Sequence, residues 1–405
     1  MKQFRLTLQR TVDDSYDIEI GRSLLARPAE DLAAGLLPFR RFALITDDNV
    51  LPLCARPVFD RLVAAGFEGE IFSFPAGEAS KTRETKAALE DRMLAAGFRR
   101  DCFVLAVGGG VVSDLAGFLA GTYARGVPFL VYATTLLSAA DASVGGKTAV
   151  DTPLATNLIG LFHQPKKVYI DLDCWATLPP REFAGGLAET IKHACLAGTA
   201  APTAPADPAA SSFFEYLEAN LDRILARDPA ACEHIAFRNC EIKYHVVMRD
   251  ERESGLREIL NLGHTVGRAA EILSADSPGE SAGPLGACPS GGSAGTPGAY
   301  RLLHGEAVAI GLCAACALAV RLGTMTAGEA GRVRDLLRRA ALPVSLPDYI
   351  DREALVRRLY TDKKVRNGRL RFVIPSGLGA VVESPPGVFA REISEETARE
   401  MIMEL

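Results

Sequence analysis

Cys102-Phe-Val-Leu-Ala-Val107, Gly108-Gly109-Gly110 and Val111-Val112-Ser-Asp114-Leu-Ala-Gly-Phe-Leu-Ala-Gly-Thr-Tyr123 follow one another without a break. The first six residues are a short apolar run of the kind that forms a buried strand. Three glycines then turn the chain, and Val112 to Tyr123 reads as a helix. A glycine turn at a helix N-terminus lets backbone N–H groups approach an anion. It is not a GxGxxG pattern, so a purely structural turn explains it equally well. Working outward, Arg41–Thr46, Glu70–Phe74 and Phe129–Ala133 are further strand candidates. Leu51–Ala65 and Lys81–Gly97 have helical periodicity. Strands alternating with helices imply a largely parallel sheet covered on both faces. From Arg181 onward helical patterns dominate: Glu182–Cys195, Phe213–Leu225, Pro229–Arg249, His264–Leu273, Gly305–Leu322 and Ala327–Ala340. The Pro179-Pro180 pair marks the change, which divides the chain into an α/β domain (1–178) and a mostly α-helical domain (179–405).

The 405 residues suggest two or three domains. A 48% hydrophobic and 23% charged composition is globular, and a net charge of −5 argues against a general nucleic-acid-coating role. The apolar run Ala307–Val320 is fourteen residues long, short of the roughly 20 that span a bilayer. It is expected to be a buried helix, with no membrane partner. No signal-peptide h-region follows Met1. The nine cysteines are scattered, and the one CxxC, Cys313–Cys316, lies in the apolar helix, where core packing is expected. A reducing, cytoplasmic location follows. Residues 197–212 and 274–299, rich in Ala, Pro, Gly and Ser, are expected to be mobile loops.

Several clusters could carry chemistry. Thr134-Thr135 follows a strand, where open α/β sheets bind ligands. Gly145-Gly146-Lys147-Thr148 resembles the end of a phosphate-binding P-loop, but the required earlier glycine is Asp141, which rejects that reading. Glu189 and Lys192 are three apart and share a helix face, as a surface ion pair would. His264 and Arg268 are four apart, and His304 opens the apolar helix. Glu189, His264 and His304 together would suit a catalytic Zn²⁺, which takes three protein ligands and keeps one position open. Their spacing is non-local, and structural histidines explain the same residues.

Taken in order, these segments resemble the 3-dehydroquinate synthases of the sugar phosphate cyclase superfamily. The resemblance runs from about Asp47 to Pro375. It is strongest over Gly108–Lys192 (GGGVVSDLAGF, TYARGV, TTLLSAADASVGGKTAV, NLIGLFHQP, TLPPREFAGGLAETIK) and continues with DERESGLREILNLGHT, HGEAVAIG and DKKVRNGRLRFVIP. It implies a Rossmann-like NAD-binding domain, a helical metal-binding domain, a cleft between them and a homodimer. NAD contacts would be Asp47, Asn49, Glu78, Lys81, Gly109, Gly110, Asp114, Thr134, Thr135 and Thr177. The metal, Zn²⁺ or Co²⁺, would be held by Glu189, His264 and His304. The pocket for a phosphorylated sugar acid would use Asp141, Lys147, Asn157, Lys192, Lys243, Arg257 and Asn261. One of Lys363 and Lys364 would reach the substrate too, and Arg125 would reach the neighbouring subunit's site.

The implied substrate, 3-deoxy-D-arabino-heptulosonate 7-phosphate, carries a carboxylate, a phosphate and hydroxyls. Transient oxidation of one hydroxyl by NAD⁺ acidifies the neighbouring C–H. Phosphate then leaves, the hydride returns, and an intramolecular aldol step closes the carbocycle. Lys192 and Lys243 would stabilise oxyanions, and the planar fork of Arg257 suits a carboxylate. Lys147, Asn157 and the Lys363/Lys364 pair would hold phosphate. Two positions depart from the family pattern. Arg268 stands where a second histidine is usual, and it cannot shuttle a proton at neutral pH, though it could bind the phosphate. Thr156 stands where a lysine is usual. These departures raise the alternative of a non-catalytic homologue, against which the intact triad and lysines argue. The other alternative, an inosose or valiolone synthase, takes a substrate without a carboxylate, which Arg257 disfavours.

Overall fold

The structure is a computed structural model that describes residues 3–9, 11–152, 155–201, 209–275, 301–360 and 370–405. In chain order its strands are β1 (Asp17–Gly21), β2 (Arg41–Asp47), β3 (Glu68–Phe74), β4 (Cys102–Gly108), β5 (Phe129–Ala133), β6 (Lys147–Thr152), β7 (Ala155–Phe162), β8 (Lys167–Asp171), β9 (Leu370–Val373) and β10 (Ala390–Ile393). Helices α1 (Arg27–Ala33), α2 (Arg56–Ala64), α3 (Arg83–Ala95) and α4 (Gly110–Thr122) accompany the strands. After residue 179 come α5 (Pro180–Ala200), α6 (Ala209–Leu225), α7 (Pro229–Arg249), α8 (His264–Leu273), α9 (His304–Arg321), α10 (Ala327–Arg339), α11 (Arg352–Leu359) and α12 (Glu395–Met403).

Six strands form a parallel sheet in the order β1-β8-β5-β4-β2-β3. Every residue of β4 is buried, because both faces are covered. Phe103, Leu105 and Val107 point to the side packed by Leu32, Val58 and Leu62 of α1 and α2. Val104 and Ala106 point the other way, into a core shared with Leu115 of α4 and continuous with the helical half. This is the parallel α/β sheet with helical second half that the alternation of patterns anticipates.

Four features differ from, or add to, the sequence reading. Helix α4 begins at Gly110 rather than Val112, so Asp114 lies one turn inside it. The short strands β1 and β8 and the β6–β7 hairpin have no clean apolar signature and were not anticipated. Gly145 and Gly146 adopt φ values of +96° and +65° and lead into strand β6 rather than a helix, so no P-loop forms. Residues 197–200, expected in a loop, continue α5. Residues 209–212, also expected in that loop, begin α6 instead; residues 202–208 between them, and 276–299 of the other expected loop, lie outside the described residues. The ends flanking the second one are tied together, since Arg301 N donates to Ser274 O at 3.0 Å and Leu302 N to Ser274 Oγ at 3.2 Å. A long insertion pinned at its base need not displace His304, two residues further on.

Helix α9 is long and apolar enough to cross a membrane by length and composition. It is instead packed inside the helical half, with residues such as Ile310, Leu312 and Cys316 buried. Cys313 and Cys316 are core residues, as expected for that CxxC.

Candidate active site

Three helices converge on one point. Glu189 comes from the middle of α5, and His264 and His304 are the first residues of α8 and α9. Both histidines bring Nε2 to 3.6 Å from Glu189 Oε1. The ligand atoms of the three side chains lie within 4.8 Å of one another. Close helix crossings allow this. A Cβ on Gly305 would meet Gly185 O at 2.0 Å, and one on Gly311 would meet Gly263 O at 1.8 Å. The other imidazole nitrogens are oriented, His264 Nδ1 by Leu262 O at 3.2 Å and His304 Nδ1 by Glu271 Oε2 at 3.2 Å. Such partners fix the ring that faces a metal.

Electrostatics favour a cation here. Burial opposes ionisation of Glu189, but Lys192, His304 and His264 outweigh it and hold the carboxyl well below its usual range. Glu189 Oε1 is buried without a hydrogen-bond partner among the described residues, while Oε2 pairs with Lys192. Burial and Lys192 push His264 well down, which keeps it neutral and able to ligate. Burial pulls His304 down too, yet Glu271 and Glu189 raise it well above the usual histidine value. Once His304 gives up its proton, the ionised carboxylate and two oriented imidazoles make the donor set a divalent metal such as Zn²⁺ takes. Lys192 and Glu189 form an ion pair at 1% and 0% side-chain exposure. The surface pairing that the helix spacing allows is thus a buried one.

A cleft of about 490 Å³ opens beside this cluster, lined by Asp114, Asp141, Lys147, Asn157, Lys192, Lys243, Arg257, Asn261, His264 and Arg268. Ten of the expected residues therefore meet in one place. Lys243 Nζ pairs with Asp141 Oδ1 at 2.5 Å. Lys147 pairs with Glu253, which also accepts from Asn261 Nδ2 at 2.6 Å. Desolvation by the cleft walls pushes the Lys147 ammonium down to about 8 despite Glu253, although its side chain is 43% exposed. Arg257 is buried and donates to Glu251 O at 2.5 Å and Gly145 O at 3.0 Å. Its Nε, and the Nε of Arg268, are buried without a partner among the described residues. Several cations facing one cavity suit a multiply charged anion.

The expected cofactor residues lie along the carboxyl edge of the sheet. Gly109 follows β4, and a Cβ there would approach Thr135 Cγ2 at 3.1 Å. Gly110 begins α4, and Thr134 N donates to Gly108 O at 3.0 Å. The Thr134 hydroxyl is buried with no partner among the described residues, as a group awaiting a ligand is. A glycine turn, an open helix N-terminus and this hydroxyl fit a dinucleotide phosphate. Lys81 joins Asp114 at 2.6 Å, Glu78 at 3.5 Å and Asn157 Oδ1 at 2.6 Å, linking the expected cofactor residues to the cleft. Asp47 Oδ1 accepts from Asn49 N and Val50 N at 2.9 Å, and Thr177 Oγ1 donates to Cys174 O at 2.9 Å. Arg125 is exposed and does not line this chain's own cleft. Lys363 and Lys364 lie outside the described residues.

Comparison with known proteins accords with this geometry. Residues 71–185 match the model of the 3-dehydroquinate synthase N-terminal domain, and 186–278 with 296–365 match that of its C-terminal domain. A 3-dehydroquinate synthase of Methylococcus capsulatus is 42% identical over 366 residues, 90% of each chain. One of Geobacter metallireducens is 41% identical over 91% of this chain and 92% of its own. The chain belongs to the 3-dehydroquinate synthase family. A solved 2-epi-5-epi-valiolone synthase from Streptomyces hygroscopicus, with NAD⁺ and Zn²⁺ bound, matches with a TM-score of 0.80 at 27% identity over 99% of each chain. A 2-deoxy-scyllo-inosose synthase shares the fold at a TM-score of 0.73 and 23% identity, over 96% of each chain.

Within this 3-dehydroquinate synthase family member, three acidic residues of the site escaped sequence reasoning. Glu253 joins two cleft residues from a left-handed backbone conformation, φ +60°. Asp250 accepts from the backbone N–H groups of Ser254, Gly255 and Arg257, which sets the turn that presents Arg257. Glu271 orients His304. A signal existed for Glu271 alone, since it lies seven residues, two helical turns, after His264 on one helix face.

Proposed function

We propose that this protein is a 3-dehydroquinate synthase. It is a carbon–oxygen lyase that converts 3-deoxy-D-arabino-heptulosonate 7-phosphate to 3-dehydroquinate and phosphate. The convergence of Glu189, His264 and His304 beside a cleft that gathers Lys147, Lys192, Lys243, Arg257 and Arg268 carries this reading. The metal would be held by the triad, and NAD by the glycine turn at Gly109–Gly110 with Thr134, Thr135, Asp114, Glu78 and Lys81, and by Asp47, Asn49 and Thr177 toward the outer edge. When bound, the divalent ion supplies Lewis acidity at the reacting hydroxyl, and NAD⁺ supplies a transient hydride acceptor.

The chain's own residues do the rest. Lys147 and Asn157 bind the phosphate, and Arg268 adds a permanent positive charge there. Arg257, anchored on two backbone carbonyls, presents its remaining N–H donors to the carboxylate. Lys192 and Lys243 stabilise negative charge as it develops on oxygen, and their carboxylate partners Glu189 and Asp141 fix their positions. Asn261 positions a substrate hydroxyl. Glu253 is ionised, because Lys147 and Asn261 outweigh its burial, and it holds both neighbours in place. The departing phosphate carries away the proton that Arg268 cannot take.

The same reading divides the chain into domains 1–178 and 179–405 and makes it a cytoplasmic homodimer in which exposed Arg125 serves the neighbouring site. The eight cysteines among the described residues are free thiols, which suits a reducing compartment. The test is phosphate release from the heptulosonate phosphate with NAD⁺ and Zn²⁺ or Co²⁺ present, and identification of the product by mass and NMR. Formation of 3-dehydroquinate only when both cofactors are supplied is expected. No release by folded, metal-loaded protein would overturn the proposal.

A further inference from the structure

Cys54 and Cys174 are 120 residues apart in sequence, yet their sulfur atoms lie 3.3 Å from each other. Cys54 sits in the helical turn Leu51–Ala55 that follows β2, and Cys174 in the turn Leu172–Thr177 that follows β8. In the sheet β4 and β5 separate these two strands, a span of about 14 Å at ordinary strand spacing. The two turns therefore close over the carboxyl edge of the sheet from opposite sides and meet at the sulfurs. Each turn is tied to a residue assigned above to the cofactor. The Asp47 turn leads directly into the Cys54 segment, and the Thr177 hydroxyl bonds to the carbonyl of Cys174.

The remaining thiols differ in kind. Cys195 and Cys313 are buried in the helical core, and burial raises their pKa to about 12 and about 11. Cys102 and Cys240 are buried too, and each donates to a backbone carbonyl. By contrast, the Cys54 sulfur touches another thiol: Cys54 is itself buried, but Cys174 against it is partly exposed, and their contact lowers the Cys54 thiol below its ordinary value. Two thiols in contact, one of them partly exposed, are the arrangement that oxidises to a disulfide rather than further along the sulfur ladder.

We propose that Cys54 and Cys174 form a peroxide-responsive disulfide that fastens the end of β2 to the end of β8 across the cofactor edge of the sheet. Its consequence for the cofactor rests on the NAD reading above. The oxidant is hydrogen peroxide. The Cys54 thiolate attacks one peroxide oxygen, the O–O bond breaks, and hydroxide leaves to become water. The Cys174 sulfur then attacks the Cys54 sulfenic acid. The S–S bond forms, the S–O bond breaks, and the hydroxyl leaves with the Cys174 proton as a second water. The two sulfurs lose two electrons in all, and the peroxide oxygens gain them. Closing 3.3 Å to the roughly 2 Å of a sulfur–sulfur bond moves the two turns by about an ångström, and Asp47 and Thr177 move with them.

The full-length protein is treated with a slight excess of hydrogen peroxide, alkylated, digested without reductant and analysed by mass spectrometry. NAD⁺ binding is titrated calorimetrically before oxidation, after it, and after dithiothreitol. A cross-linked peptide joining Cys54 to Cys174 is expected, absent in Cys174→Ser. NAD⁺ binding weakens about fivefold or more, the low end of coupling between two sites, and recovers on reduction. Cys174→Ser shows no loss. Free thiols after peroxide, or sulfinic acid at Cys54 without the cross-link, would overturn the proposal. So would cross-linked protein that binds NAD⁺ as tightly as reduced protein. If reduced protein binds no NAD⁺, the cofactor reading falls, and the peptide alone decides the disulfide.

Discussion

Gly305, one residue after His304, lies so close to Gly185 that a Cβ built on it would come within 2.0 Å of the Gly185 carbonyl oxygen. This backbone contact between α9 and α5 sets the distance from His304 to Glu189. Gly305→Ala must push the helices apart, and overpacking of this kind costs about 1–3 kcal/mol. Displacing an oriented ligand lowers metal affinity by about 10–100-fold. Competition with a chelating dye reads the metal Kd directly. An unchanged Kd in the folded variant would show that α9 can shift without moving its histidine.

Glu189→Gln removes the proposed anionic ligand and leaves the Lys192 ammonium, 1% exposed, without its carboxylate. Breaking such a buried pair costs about 3–5 kcal/mol. The variant is expected to lose metal by elemental analysis, to lose activity and to unfold at lower urea concentration than wild type. Full metal occupancy in Glu189→Gln would remove Glu189 from the ligand set.

Asp250 gives a pH-dependent contribution to stability. Burial raises its pKa, but the N–H groups of Ser254, Arg257 and Gly255 outweigh that and hold it down to about 2. A carboxyl depressed on folding binds fewer protons in the folded state. Its stabilisation is therefore complete above the unfolded value near 3.8 and disappears as pH falls through about 2. Asp250→Asn should cost about 2 kcal/mol at pH 7 and almost nothing near pH 2. Urea melts across this range would show two parallel curves, rather than converging ones, if the carboxylate charge were irrelevant.

Lys147, pushed down to about 8 by desolvation with Glu253 opposing, loses its charge within the working range. Substrate KM is expected to rise above about pH 8 while kcat changes less, since the ammonium is proposed to bind phosphate. Glu253→Gln removes the opposing charge and should bring the KM rise to lower pH. The KM-against-pH profile of the variant checks this. A profile unmoved by Glu253→Gln would separate Lys147 from that limb.

Much of this was legible in the sequence because it is local. The unbroken apolar run Cys102–Val107, the glycine turn and the periodic helices need only near neighbours. Pro229–Arg249 and His264–Leu273 appear in the structure with the boundaries their periodicity gave. The short strands β1 and β8 were invisible, because five residues beside polar neighbours become strands only when a sheet edge is there to pair with.

The site divides the same way. Residue types and motif order sufficed to name Glu189, His264 and His304, since ligand chemistry is written in side chains. Their meeting, the burial of the Glu189–Lys192 pair and the roles of Glu253, Asp250 and Glu271 belong to tertiary structure alone. Sequence fixes which groups exist and which share a helix face. Only packing brings three helices to within a Cβ of collision, removes the water between them, and so turns separated charges into one site.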